Sequence, residues 1–207
     1  MQVVCLSVRV AAILWLGAAL SMSSSVAAAT HFVIVPTDGQ TLVRFDSKAP
    51  LESFSGTTGH ARGEILFDPA ALGDSIGVLV EVDLATLDTG IGLRNKHMRD
   101  NHLETARFPL AVFRGARIVG ERPDRLPPSQ AVHLEIEGLF ALHGIERSLR
   151  VPVTVTYEMT TEVERLGVEC QFAVQLSDYG IPRPQFLALK VADEQKITFR
   201  ALAVRTE

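Results

Sequence analysis

The run Val132-His133-Leu134-Glu135-Ile136-Glu137-Gly138-Leu139-Phe140-Ala141-Leu142 decides the fold. Val132, Leu134, Ile136, Gly138, Phe140 and Leu142 occupy alternate positions, with His133, Glu135 and Glu137 between them. Successive side chains of a strand point to opposite faces, so the segment has one dry face and one largely wet one. The same period recurs at Ile76, Val78, Val80, Val82 and Leu84, and again at Val151, Val153, Val155 and Tyr157. Further strands are expected over 41–47, 62–67, 109–119, 166–177 and 195–204. Turn chemistry separates them at Asp68-Pro69, Gly73-Asp74, Gly120 to Pro128 and Gly144-Ile145-Glu146. Pro152 cannot donate a ladder hydrogen bond and marks an edge, a bulge or a barrel seam.

Two stretches break the alternation. Leu93 to Glu104 is polar, with Leu93, Met98 and Leu103 spaced for one or two helical turns. Tyr179 to Lys190 reads as Pro-rich chain followed by a helix. Eight or so antiparallel strands can form a sandwich or a closed barrel, and closure removes vulnerable edges. Dry faces pointing inward make a soluble barrel, because a transmembrane one needs the reverse.

Composition agrees with a single folded domain. The 207 residues are 47% hydrophobic and 21% charged, with 20 basic and 24 acidic side chains for a net charge of −4. Mild acidity without a Lys/Arg run gives no footprint for nucleic acid. Two cysteines are too few for a disulfide scaffold or a Cys-rich zinc module. Val10 to Leu20 is an apolar run behind Arg9, and Ala27-Ala28-Ala29 offers a small-residue cleavage site. Residues 1–29 are therefore expected to be a secretory signal peptide, with export to the periplasm or beyond and no stable membrane insertion after cleavage. Its loss would leave 178 residues, 30–207, as one domain with a single thiol, Cys170, and no Trp. Cys170 alternates with Val168, Phe172, Val174 and Leu176 and reads as a small buried apolar side chain.

No residue set speaks for catalysis. Gly73-Asp74-Ser75-Ile76-Gly77 matches the G-x-S-x-G pattern of serine hydrolases, but Ser75 opens a strand instead of sitting on a strand-to-helix elbow. His97 and His102 lie five apart without the spacing of a ready-made zinc site, so no metal or cofactor is expected. Glu135 with Glu137, and Glu81 with Asp83, read as solvated carboxylates on polar strand faces. The dry interior is left. It can be filled by side chains or hold an apolar ligand, and the small inward positions Gly138, Ala201 and Ala203 lean toward a cavity.

Four stretches, in order, carry a resemblance to a known family. They are Phe54-Ser55-Gly56 with Gly63-Glu64-Ile65-Leu66-Phe67-Asp68-Pro69; then Val82 to Gly90 with Arg94, His97-Met98-Arg99-Asp100, Leu103-Glu104-Thr105 and Phe108-Pro109; then Gly138 to Gly144 with Val151-Pro152-Val153; and Asp178 to Pro184. The set resembles the YceI-like family, lipocalin-like polyisoprenoid-binding proteins exported by bacteria. The resemblance implies an all-β, extended eight-stranded antiparallel barrel with a short helical insertion. It also implies an exported, non-enzymatic protein that sequesters or carries a long isoprenoid lipid, of polyprenyl phosphate or quinone type. A homodimer is allowed for, and the competing reading is a filled barrel serving envelope stress or protein interaction without a lipid.

Leu134, Ile136, Phe140, Val153, Val155, Phe172 and Val174 are the candidate ligand wall. The polar segment 94–104 is the candidate mouth, where Arg94, His97 and Arg99 would meet a phosphate-type headgroup. The competing reading of Arg94 and Asp100 is that they pin the insertion to the barrel by ion pairing and hydrogen bonds.

Overall fold

The computed structural model describes residues 29–36, 39–48, 53–186 and 189–206. The leader expected over residues 1–29 lies, Ala29 apart, outside them. The strands are β1 (Thr30–Ile34), β2 (Leu42–Lys48), β3 (Ser53–Thr58), β4 (Ala61–Phe67), β5 (Ser75–Asp83), β6 (Leu110–Val119), β7 (Ala131–Leu142), β8 (Ile145–Met159), β9 (Glu164–Gln175), β10 (Gln185–Phe186), β11 (Leu189–Lys190) and β12 (Glu194–Arg205). Among the described residues one α-helix, α1 (Gly92–His97), runs into a π-helical turn at Met98–His102.

Antiparallel pairing runs β1–β4–β5–β6–β7–β8–β9–β12, and β12 returns to β1, so eight strands close a barrel. β1 pairs with the C-terminal part of β12, through Ile34↔Ala203, and β2 with its N-terminal part, from Arg200↔Leu42 to Gln195↔Ser47. The two strands thus lie end to end along one neighbour. β3 and β4 flank them in the same way, paired with β2 and β1 respectively.

Local chemistry accounts for the joints. β7 and β8 are joined through His143 at φ 52° and Gly144 at φ 77°. Two successive positive φ values define the tight turn whose twist matches a hairpin. A Cβ on Gly144 would also stand 2.7 Å from the Phe108 ring. Pro152 lies where the sheet parts: β8 pairs with β7 from Ile145 to Thr156, but with β9 only from Val153 onward. The missing N–H falls at the start of that seam, as its chemistry requires.

One end is packed solid. Phe32 stacks on Phe67 at 5.5 Å between centroids and meets Tyr157 edge-on at 6.4 Å. Leu72 and Leu126, both buried, come from the loops at 68–74 and 120–130. The loops are tied together by Leu72 N–H to Asp124 O at 2.7 Å, Leu126 N–H to Pro69 O at 2.8 Å and Arg122 to Asp74 at 2.5 Å.

Three expectations need correction. The described residues of 180–190 form no helix: after a 3-10 turn at Leu176–Tyr179, Gln185–Phe186 and Leu189–Lys190 pair as the short ribbon β10–β11. Pro182 and Pro184 push Ile181 and Arg183 away from helical dihedrals, so the turn at Leu176–Tyr179 does not extend through them. Gly138 does not make room in the lumen, since a Cβ there would sit 2.3 Å from the Arg114 carbonyl oxygen, beside the irregular pairing at Gly115/Arg117. Its smallness serves a close approach of β6 and β7. Ala203 is the cross-strand partner of both Ile34 and Leu166, and Ala201 joins the same buried cluster, so both belong to the packed end.

Replacing Gly138 by Ala pushes a methyl group into backbone that cannot move aside. Gly138→Ala is expected to lower the unfolding free energy by about 1–3 kcal/mol in chemical denaturation. Ser75→Ala, at an exposed strand start, should stay within about 0.5 kcal/mol of the parent.

Candidate functional site

Between the packed end and α1 the barrel encloses a cavity of ≈ 960 Å³. Ile76, Val78, Val80 and Val82 of β5 face it, as do Val168, Cys170, Phe172 and Val174 of β9. All seven candidate wall residues (Leu134, Ile136, Phe140, Val153, Val155, Phe172 and Val174) line it. Phe140 packs edge-on against Phe172 at 5.8 Å and Tyr179 at 5.7 Å. The interior is therefore not filled by side chains.

The floor is made by Phe67, Leu72, Ile118 and Leu126. At the other end the lining reaches Ile91, Leu93 and His97, all exposed, which places the mouth beside α1. Ile91 and Leu93 are 49% and 66% exposed, an apolar lip that the reading of 94–104 as a polar mouth did not anticipate.

The insertion is held by one polar network. Asp88 accepts from the Gly90 N–H at 2.8 Å and from Asn95 Nδ2 at 2.6 Å. Asn95 Oδ1 accepts in turn from the Thr89 N–H at 2.9 Å and the Thr89 hydroxyl at 2.6 Å. Arg94 donates from Nε to Thr89 Oγ1 at 2.9 Å and from Nη2 to Thr89 O at 2.8 Å, and lies 4.6 Å over the Phe54 ring. Arg94 thus borders the cavity with much of its guanidinium engaged in the pin. Asp100 is not its partner, for it pairs with Lys96 at 2.5 Å one helical turn away. Of the other mouth candidates, His97 lines the cavity, whereas Arg99 stands apart from it and donates to Ala85 O at 2.8 Å. Asn95, buried at 8%, is the residue that sequence reasoning missed. Its position in a polar run carries no signal distinguishing it from Asn101.

The hydrogen bond from Asn95, followed by that from Gly90, holds the Asp88 carboxyl below its usual range, with Arg99 adding a smaller attraction. Burial pushes the Cys170 thiol up to about 12. Cys170 is only half-buried, but it lines the cavity, so its exposure is at least partly to the lumen. On the outer face Glu137 is clamped between Arg117 and Arg150, and Glu81 pairs with Arg62 at 2.7 Å, so these carboxylates are ion-paired instead of free. Ser75 opens β5 opposite Arg117, with no helix after it. His102 Nδ1 lies 2.8 Å from Pro182 O, and among the described residues no three His, Cys, Asp or Glu side chains gather as a metal site.

The YceI-like domain family model matches residues 28–203. The chain belongs to the YceI-like family. Among solved structures, this YceI-like chain is similar to Burkholderia cenocepacia BcnA, at 18% identity and TM-score 0.63 over 78% of this chain and 95% of that one. A polyisoprenoid binding domain from Saccharophagus degradans, implicated in plant cell wall breakdown, gives 16% identity and TM-score 0.65 over 86% and 99%. The Campylobacter jejuni YceI protein gives 16% and 0.58 over 73% and 85%. Identities this low establish a shared fold alone. No curated protein matches the chain.

Two outcomes follow from the titrating groups. A carboxyl with a depressed folded pKa contributes stability above its unfolded value, near 4, that is lost as pH falls through the folded one. Asp88→Asn should therefore flatten the loss of stability below pH 4, read from melting temperature against pH. A thiol held near 12 is almost wholly protonated at pH 8, so iodoacetamide should label Cys170 roughly two to three orders of magnitude more slowly than a free cysteine.

Proposed function

We propose that this protein is an exported, non-enzymatic carrier that sheathes a long isoprenoid lipid in its barrel. The observation carrying the reading is the ≈ 960 Å³ cavity, apolar along the barrel and open beside α1. Each methylene exposed to water costs about 0.8 kcal/mol, so a free prenyl chain stays in membranes unless something covers it. At about 30 Å³ per water-sized group, the cavity holds roughly 30 carbon-sized atoms. With about 0.3 kcal/mol per heavy atom, that is on the order of 10 kcal/mol, a submicromolar affinity. Membership of the YceI-like family supports the same reading, as does the likeness to the polyisoprenoid binding domain of S. degradans. The leader-like run at Val10–Leu20 supports export, where such a carrier would move or hold lipids between membranes.

Gently purified protein should yield a prenyl lipid in native mass spectrometry and bind added prenyl lipid saturably. Phe172→Arg places a charge in the lumen and should weaken that binding at least tenfold. Repeated recovery of empty protein, together with no saturable uptake, would remove the proposal.

A further inference from the structure

Two buried polar side chains interrupt the apolar lining. On β2, Val43, Phe45 and Ser47 face the cavity, and on β12, Gln195, Ile197 and Phe199 do. Ser47 and Gln195 are direct cross-strand partners, so they stand side by side on the inner wall. Ser47 is 2% exposed and Gln195 6%. Gln195 Nε2 donates to Ala192 O at 2.7 Å, which holds its amide in the wall. The Ser47 hydroxyl makes no hydrogen bond among the described residues.

An unpaired buried hydroxyl costs about 1–3 kcal/mol. The strand pattern offers a cheaper solution at the same place, since neighbouring inward positions carry Val, Phe and Ile. Neither side chain is ionisable, so the pair does not suit a phosphate, whose charge would need cations or many donors when desolvated. An uncharged oxygen fits. The serine hydroxyl donates to a carbonyl or trades hydrogen bonds with a hydroxyl, and an amide beside it offers both a donor and an acceptor.

We infer that Ser47 and Gln195 form a polar subsite inside the lumen for an uncharged oxygen of the lipid, a quinone carbonyl or a prenol hydroxyl. This rests on the carrier reading above and narrows it. The lipid's oxygen is drawn into the barrel wall, and the class of ligand is neutral instead of phosphorylated.

The test compares squalene, a prenol, a prenyl quinone and a prenyl phosphate of matched chain length, each titrated into the full chain. Prenol or quinone should bind about fivefold or more tighter than squalene, and the phosphate should show no such advantage. Whichever oxygen is preferred identifies the source. Ser47→Ala should erase the preference while leaving the squalene affinity within about twofold, and Ser47→Thr should retain part of it. Unchanged squalene binding certifies that the variant barrel is folded. Squalene binding with no preference for prenol or quinone would overturn the subsite while leaving the carrier intact. A preference that survives Ser47→Ala, or one led by the phosphate and dependent on Arg94, would overturn it likewise. Failure of all four lipids to bind would overturn the carrier reading and the subsite with it.

Discussion

The pairing of the five-residue β1 with β12 on one side and β4 on the other is the constraint from which the rest follows. Without it β4 and β12 would each present an edge along the packed end, and the dry inner face would open to water there. Its inward residues, Phe32 at 0% and Ile34 at 1% exposure, are among the most buried in the chain. The same strand therefore closes the hydrogen-bond ladder and supplies the first layer of the floor. Closure then turns an alternating pattern, which by itself describes only a two-faced sheet, into an inside and an outside.

Side-chain length decides where the inside is solid and where it is hollow. At the floor, aromatic rings and the loop residues Leu72 and Leu126 span the gap. Toward the mouth, Phe140 packs edge-on against both Phe172 and Tyr179. Between them the wall is built largely of valines, at positions 78, 80, 153, 155 and 168. A valine fits the pleat well because its branch lies at Cβ, but for the same reason it does not reach far from the sheet. Short β-branched lining in these layers therefore leaves room that longer side chains would fill.

That distribution explains what could be read from the sequence. The inner wall was legible because one residue in two must be apolar along β5, β7, β8 and β9, and all seven proposed wall residues face the cavity. β1 and β3 escaped notice because Thr30–Ile34 is too short to display a period and Ser53–Thr58 is mostly small and polar. The first part of β8, Ile145–Arg150, escaped because it runs past the seam with β9 and carries Glu146, Arg147 and Arg150. Small residues misled for a different reason. A glycine or alanine leaves space only if nothing else occupies it, and Gly138 and Ala203 are small because a carbonyl and two large side chains already do. At the mouth, Arg94 was visible as a charge, but its commitment to Thr89 depends on a turn that brings Asp88, Thr89 and Asn95 together.

An apolar hollow is an unfavourable thing to maintain, since its lining forfeits dispersion contacts that a filled core would have. In this fold the loss falls on layers that do not hold the structure shut. The continuous ladder, the aromatic floor and the network around Asn95 are complete whether or not anything occupies the lumen. A helical bundle has no such independence, because its elements are joined mainly by the side chains between them. A closed ladder can therefore keep the shape of a site while the contacts missing from its middle are left for a ligand to supply. Occupancy should consequently add stability instead of being required for folding.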